Sequence, residues 1–177
     1  MKNSVFKDNV ATDNNGGAID SGSSVNVSDS EFKGNHAYFG GAIFTENNTN
    51  IVNSIFQHNH CEDYQFNSPE GGDIYCKGSV NASNSDFSYS FSCFNGDFIW
   101  VEKFVSLNNC SFKINNMDFH GSNSIYCKGS GVINNTIFND MDYANYVVYC
   151  SDNLVINNSR ALSNSIWVAL YAFIAVL

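Results

Sequence analysis

Two short stretches decide the fold of this chain: Phe32-Lys33-Gly34-Asn35 and, shortly after it, Gly40-Gly41-Ala42-Ile43. The first stretch recurs along the whole chain, in steps of 26, 24, 31, 25, 26 and 23 residues. A period of this kind is typical of repeat architectures, in which each copy stacks on the next. The anchor position of the seven copies is occupied by Phe6, Phe32, Phe56, Phe87, Phe112, Phe138 and Ala161.

Alignment on this anchor shows further columns. The residue five before it is apolar wherever the position exists, and the residue two before it is small. The residue three before it is Asn or Asp in every copy, and these residue types adopt a left-handed backbone conformation readily, so we predict a bend there. The residue three after it is Asn in five copies, and the two columns hold 11 of the 28 asparagines. The predicted bends are at Asn3, Asp29, Asn53, Asn84, Asn109, Asn135 and Asn158.

The residues between these columns favour short strands over helices. Stretches such as Val25-x-Val27 and Val105-x-Leu107 alternate apolar and polar positions, and Gly, Asn, Ser and Asp separate them. The Leu pattern of leucine-rich repeats is absent. We predict an all-β, single-stranded parallel β-helix of about seven rungs over residues 1–165, each rung having ~25 residues and lying ~4.8 Å from the next. Asn side chains would then form ladders, and Phe rings would stack in the core.

Composition and charge exclude several functions. The 177 residues are 44% hydrophobic and carry 8 Lys and Arg against 17 Asp and Glu, which gives a net charge of −9. Because no basic run could follow a phosphate backbone, we expect no nucleic-acid partner. The repeated Tyr75–Ser79 and Tyr126–Ser130 stretches contain Lys and Gly, but no helix follows them, so they are predicted to be turns rather than phosphate sites. We expect no cofactor.

The pairing of Phe-x-x-Asn with Gly-Gly-Ala-Ile resembles the repeat of the chlamydial polymorphic outer membrane proteins, which adhesin-like surface proteins of other microbes also carry. The first two copies contain both halves, the third has Asp73 in place of Ala, and the later copies are more degenerate. This resemblance implies a right-handed β-helix displayed outside the cell or on its surface, with adhesion as the usual activity. We therefore expect a non-catalytic protein that binds glycans or surface proteins.

A carbohydrate-active β-helix, of the polysaccharide lyase or glycoside hydrolase type, is the alternative. Such chemistry needs two carboxylates about 5 to 10 Å apart, or a metal with basic help, and we find no convincing cluster of catalytic residues. His58 and His60 are interpreted as surface histidines in stacked columns rather than metal ligands. The long insertion at 61–70 is acidic and is interpreted as a solvated loop. As a binding loop it would offer Glu62, Asp63, Tyr64 and Glu70.

The six cysteines form no zinc-binding pattern, so we expect disulfides or buried thiols. Cys127 and Cys150 occupy the same column on adjacent rungs and are the first disulfide candidates. Cys61 and Cys93, at nearly matching offsets, are the second. Cys110 replaces Ser or Thr in the small-residue column and is predicted to be a buried free thiol.

Two features concern the cell surface. Six Asn-x-Ser/Thr triplets begin at Asn26, Asn47, Asn81, Asn109, Asn134 and Asn157. Of these, Asn26, Asn47, Asn81, Asn134 and Asn157 are the candidate glycan acceptors, provided that the chain enters a eukaryotic secretory pathway. The C-terminal segment 166–177 has no charged residue, yet it is too short to span a bilayer. It is interpreted as a shortened membrane anchor, as a strand or helix that caps the core, or as an interfacial segment. The absence of a signal peptide and of an N-terminal cap favours a fragment of a longer solenoid.

Overall fold

The computed structural model describes residues 1–61, 68–92, 94–114, 123–140, 146–162 and 173–174. Within these ranges the chain contains strands and no helix, and the strands pair in parallel with the equivalent strand of the next coil. The predicted parallel β-solenoid is therefore confirmed.

Four sheets run along the solenoid. The first sheet contains β1 (Val5–Lys7), β5 (Glu31–Lys33), β9 (Ile55–Gln57), β13 (Asp86–Ser88), β16 (Ser111–Lys113), β19 (Ile137–Asn139) and β22 (Arg160–Leu162). The second contains β2 (Val10–Asn15), β6 (His36–Phe39) and β10 (His60–Cys61). The third contains β3 (Ile19–Ser21), β7 (Ile43–Thr45), β11 (Ile74–Cys76), β14 (Ile99–Val101), β17 (Asn123–Cys127) and β20 (Tyr146–Cys150). The fourth contains β4 (Val25–Ser28), β8 (Thr49–Val52), β12 (Ser79–Ser83), β15 (Phe104–Asn108), β18 (Ser130–Asn134), β21 (Asn153–Asn157) and β23 (Phe173–Ile174).

The number of complete turns is slightly lower than the predicted seven rungs. The third sheet has six strands, so the chain makes about five full turns between the first and the last of them. The first and fourth sheets reach seven strands because partial coils extend them. A count of anchors includes these partial coils, and it therefore overestimates the number of turns.

The anchor aromatics form the spine of the core, as predicted. The rings from Phe6 to Phe138 stack on one another with centroids 4.7 to 5.0 Å apart, and Phe138 pairs with Ala161 in the last coil. The apolar column of the fourth sheet faces them, with Leu107 and Ile133 fully buried. Alternation within three-residue strands thus places one large ring per coil in the interior.

The predicted bends are confirmed in all seven copies, where the Asn or Asp residue has a φ between 43° and 54°. The adjacent small residue stabilises the corner. In one coil, the hydroxyl of Ser54 donates to the carbonyl of Val52 at 2.8 Å and accepts the backbone N–H of Ser30 at 3.2 Å. The same side chain thus satisfies backbone groups of two successive coils.

The Gly-Gly pair allows two coils to approach closely. Gly40 has a φ of +63°, and a Cβ on Gly41 would lie 2.2 Å from the carbonyl oxygen of Gly72. A larger residue at Gly41 would force the two backbones apart. This contact begins the third sheet in each of the first coils.

Residues Phe173–Ile174 are the described part of the C-terminal segment, and they form the short strand β23, which pairs with β21. The remainder of 166–177 lies outside the described residues, so its interpretation as a cap or an anchor stays a prediction. Within the described ranges, no helix is long and apolar enough to cross a membrane.

Candidate binding surface

Of the predicted binding loop, Glu62, Asp63 and Tyr64 lie outside the described residues. Glu70 is described, is half-buried, and pairs with Asn95 through an isolated parallel bridge. It lies at the end of the insertion, next to the outer face of the third sheet, so this face is the candidate surface.

In each strand of the third sheet, the residue directly after the core Ile or Val points outward, because the residues on either side of it face the core. From the second strand onward this residue is aromatic, and we call the column the aromatic ladder. The rings stack with centroid distances of 5.4, 4.1, 6.4 and 5.0 Å and interplanar angles of 4° to 17°. The aromatic ladder consists of Phe44, Tyr75, Trp100, Tyr126 and Tyr149.

Stacking determines what the aromatic ladder can offer a ligand. The faces of the rings lie against one another, so a ligand can contact only the exposed ring edges and the hydroxyl groups of the tyrosines. Phe44 and Trp100 are only 4% and 2% exposed, whereas the three tyrosines are half-buried. The surface is therefore an ordered apolar strip with polar groups along it.

Lysines lie over two of the rings. The ammonium of Lys77 is 5.5 Å from the centroid of Phe44 and 2.8 Å from a carboxylate oxygen of Glu46. The ammonium of Lys128 is 4.8 Å from the centroid of Trp100. Both are cation–π contacts, which fix the lysine chains against the aromatic ladder.

A chain of amides connects the carboxylate of Glu70 to the third sheet. Asn123 donates from Nδ2 to Oδ1 of Asn95 at 2.9 Å, and Asn95 donates from Nδ2 to Oε1 of Glu70 at 3.3 Å. Burial raises the pKa of Glu70, while the amide of Asn95, the charge of Lys128 and the nearby indole N–H of Trp100 partly offset this effect. The indole N–H lies near the carboxylate but does not reach hydrogen-bond geometry.

Negative charge accumulates around the centre of the aromatic ladder. The pKa of Tyr75 is raised, mainly by burial and further by the charges of Glu70, Glu102 and Glu46. The pKa of Tyr126 is raised by burial and by nearby Tyr149 and Glu70. The surface therefore disfavours additional negative charge.

Sequence reasoning did not identify the aromatic ladder, although a signal for it exists. The residue after the recurring Ile or Val of the second motif is Phe44, Tyr75, Trp100, Tyr126 or Tyr149. An aromatic column at an outward position of a predicted sheet is unusual for a solvated face. Alignment on Gly-Gly-Ala-Ile, rather than on the Phe anchor, would have found it.

The predicted column of Cys127 and Cys150 is confirmed, because these residues are paired in register on adjacent strands. The structure holds both as buried free thiols, and a hydrogen bond from the Cys150 thiol lowers the pKa of Cys127. Their disulfide stays a prediction. Cys93 lies outside the described residues, and Cys61 pairs with Ala37. Cys110 is a buried free thiol, as predicted.

The histidines stack, as the sequence indicates. The rings of His36 and His60 are paired in register with centroids 4.3 Å apart, and His60 stacks on Phe91 at 5.0 Å. His58 instead stacks on Tyr89 at 5.1 Å. In the described part of the chain, no group of three His, Cys, Asp or Glu side chains could hold a metal ion.

The glycan acceptor candidates lie on exposed or half-exposed positions of the solenoid. Asn26, Asn47, Asn81 and Asn157 are exposed, and Asn134 is half-buried. Several are already linked in ladders, because Asn157 donates to Asn134 at 2.8 Å and Asn47 donates to the carbonyl of Gly22 at 2.9 Å. Whether they carry glycans stays a prediction.

Comparison with known proteins agrees with the sequence resemblance. No curated protein and no solved structure matches the chain. Residues 29–46, which include the Phe32-x-x-Asn35 and Gly40–Ile43 stretches and strands β5 to β7, match a family model. That model describes the Chlamydia polymorphic membrane protein repeat, to which the second coil of this solenoid is therefore similar.

Proposed function

We propose that this protein is a surface-displayed, adhesin-like solenoid that binds glycans through the aromatic ladder and carries out no catalysis. The match of 29–46 to a polymorphic membrane protein repeat and the β-solenoid fold support a surface role. Location outside the cell or at its surface, and membrane attachment through 166–177, are parts of the same proposal. The observation that carries the binding role is the stack of outward rings from Phe44 to Tyr149.

Glycans suit this surface for a physical reason. A sugar presents apolar C–H groups and several hydroxyls, and binding sites of this kind combine an apolar lining with a few placed polar groups. The aromatic ladder supplies the lining, and Glu70, Asn95 and Lys128 supply the polar groups. Because backbone hydrogen bonds fix each coil to the next, the rings are ordered before a ligand arrives, which reduces the entropic cost of binding.

The proposal includes no catalytic step at this surface. Glycoside hydrolysis would need a second carboxylate across the scissile bond from Glu70. The groups that modulate Glu70 are an amide, an indole and an ammonium, from Asn95, Trp100 and Lys128. This set binds and orients hydroxyl groups better than it activates water.

A glycan array with the purified protein tests the proposal. We expect binding of a restricted set of glycans, with strong loss in Tyr126→Ala and Tyr149→Ala. Tyr89→Ala is the matched control, because Tyr89 is also half-buried and stacked but belongs to the region that follows the first sheet. Equal binding by all three variants would contradict the role of the aromatic ladder. Release of reducing ends or unsaturated products from polygalacturonate would instead support the enzymatic alternative.

A further inference from the structure

Two buried polar atoms beside the aromatic ladder have no hydrogen-bond partner among the residues that the structure describes. They are the indole Nε1 of Trp100 and the carbonyl Oδ1 of Asn123. Trp100 is 2% exposed and Asn123 is 7% exposed. A buried polar group without a partner costs about 1–3 kcal/mol, so a pair of them needs an explanation.

The two atoms belong to one connected group of side chains. Asn123 contacts Asn95, Asn95 contacts Glu70, and Glu70 lies near the indole of Trp100. Glu70 and Asn95 are half-buried, so solvent reaches the outer part of the group. A ligand reaches the two buried atoms when the side chain of Lys128, which lies over Trp100, moves aside. It presents one N–H donor, one carbonyl acceptor and one carboxylate, which together match adjacent hydroxyl groups that both accept and donate.

We propose that Trp100, Asn123 and Glu70 form a subsite for one neutral sugar unit at the centre of the aromatic ladder. One sugar hydroxyl accepts the hydrogen bond of the Trp100 indole N–H. A neighbouring hydroxyl donates to Oδ1 of Asn123 or to the carboxylate of Glu70. The rings of Tyr75 and Tyr126, on either side of Trp100 in the stack, contact the apolar edge of the sugar. The inference rests on the proposed glycan binding and names its ligand class.

The charges around the subsite select a neutral sugar over an acidic one. Glu46, Glu70 and Glu102 all act on Tyr75, and their combined negative potential is opposed locally by Lys128 over Trp100. A uronate or sialate carboxylate would meet like charges at this point. The pectin-type polymers of the alternative function are therefore poor ligands for this site.

The chain provides its own reporter for this subsite. It contains two tryptophans, Trp100 and Trp167, so Trp167→Phe leaves Trp100 as the fluorescent residue. In this background we titrate cellohexaose, chitohexaose and mannohexaose as neutral probes and hexagalacturonate as the acidic probe. A saturable change in the emission of Trp100 with a neutral probe, and none with hexagalacturonate, is the expected result.

Calorimetry with the neutral probe that binds then tests the hydrogen bonds. Trp100→Phe keeps a ring in the stack but removes the N–H, and we expect about a tenfold loss of affinity. Glu70→Gln removes the charge of Glu70 and should improve binding of hexagalacturonate. Tyr89→Phe, which removes a hydroxyl outside the aromatic ladder, is the control and should leave affinity unchanged. Circular dichroism verifies that each variant is folded.

The outcomes separate this inference from the proposed function. If no probe and no array glycan binds, glycan binding and the subsite are both wrong. If a neutral probe binds and Tyr126→Ala abolishes binding while Trp100→Phe has no effect, the subsite alone is wrong. Tighter binding of hexagalacturonate than of the neutral probes by the unmodified protein would also overturn it, because the ligand class would then be acidic.

Discussion

Asn59 donates a hydrogen bond of 2.8 Å from Nδ2 to Oδ1 of Asp73, in the interior of the solenoid. The contact continues the interior Asn ladder, in which Asn9 donates to Asn35 at 2.7 Å and Asn35 donates to Asn59 at 2.8 Å. Ser90 also donates to Oδ1 of Asp73, at 2.6 Å. Asp73 occupies the position of Ala in the intact motif, so this coil places a carboxyl group where the preceding coil has the methyl group of Ala42.

This carboxyl group is fully buried, and burial raises its pKa from the usual 3.8 to about 8, against the opposing effect of the hydrogen bonds from Ser90 and Asn59. The folded protein thus holds the proton up to about pH 8, whereas the unfolded chain releases it near pH 4. The contribution of this group to the free energy of unfolding is therefore fully present below pH 4 and is lost as pH rises from 4 to 8. The slope from this group is up to about 1.4 kcal/mol per pH unit.

Urea denaturation at a series of pH values measures this effect. Asp73→Asn keeps Oδ1 as an acceptor and removes the titration, so we expect it to flatten the pH dependence and to be more stable than the unmodified protein above pH 7. Asp73→Ala, which restores the intact motif, should flatten it as well. Asp86→Asn changes an exposed carboxylate and serves as control. An unchanged slope in Asp73→Asn would show that another group is responsible.

The Phe stack should dominate the stability of the solenoid. Phe87 is fully buried and stacks on Phe56 at 5.0 Å and on Phe112 at 4.7 Å. Phe87→Ala leaves a cavity between two rings and should lower the free energy of unfolding by about 3–5 kcal/mol. Phe6→Ala should cost clearly less, because Phe6 is half-buried in the first coil. Chemical denaturation measures both variants. An equal decrease in the free energy of unfolding for Phe87→Ala and Phe6→Ala would show that the contribution of a Phe does not depend on its position in the stack.

Substitutions at a bend distinguish two contributions to stability, the left-handed backbone conformation and the hydrogen bond between Asn side chains of adjacent coils. Asn84 has a φ of 50° and accepts a hydrogen bond of 2.8 Å from Asn109. Asn84→Gly loses the exposed hydrogen bond, but glycine adopts the left-handed conformation without strain. Asn84→Ala loses the same hydrogen bond and also places a Cβ in the left-handed region, so the Ala variant should be less stable than the Gly variant by about 1 kcal/mol. In strand β13 the order should reverse, with Asp86→Ala more stable than Asp86→Gly. The same order at both positions would show that the bends carry no special requirement.

The features that repeat in every coil could be predicted from the sequence. The bend at Asn84, the ring of Phe87 and the register of Cys127 with Cys150 all follow from alignment, because stacking turns sequence spacing directly into spatial contact. Asp73 shows the limit of this reasoning. Its sequence position indicates a departure from the motif, but the contact with Asn59 depends on how far a side chain reaches across the interior.

Alignment on the Phe anchor could not predict the polar part of the candidate site. It places Glu70, Asn95 and Asn123 at unrelated positions of the repeat, because the coils differ in length between the first and third sheets. Glu70 and Asn95 in fact pair in register, since they directly precede Gly71 and Gly96 of the second motif, and Asn123 joins them from the next coil. The insertion at 61–70 shifts Glu70 relative to the anchor. Spacing therefore identifies what coils share, and contacts between their irregular segments require coordinates.

Cys127 and Cys150 should form a disulfide on exposure to an oxidant such as oxidised glutathione. Adjacent strands place their Cα atoms ~4.8 Å apart, which is within the range that a disulfide spans. Attack by the Cys127 thiolate on oxidised glutathione releases one glutathione, and Cys150 then displaces the second. Cys76 is in the same column but is separated from Cys127 by Val101, so it should remain a thiol.

Peptide mapping after alkylation of the unfolded protein identifies the linked pair, and Cys150→Ala should abolish the link. Alkylation of both Cys127 and Cys150 after oxidation, or a link to Cys76, would show that the pairing is wrong.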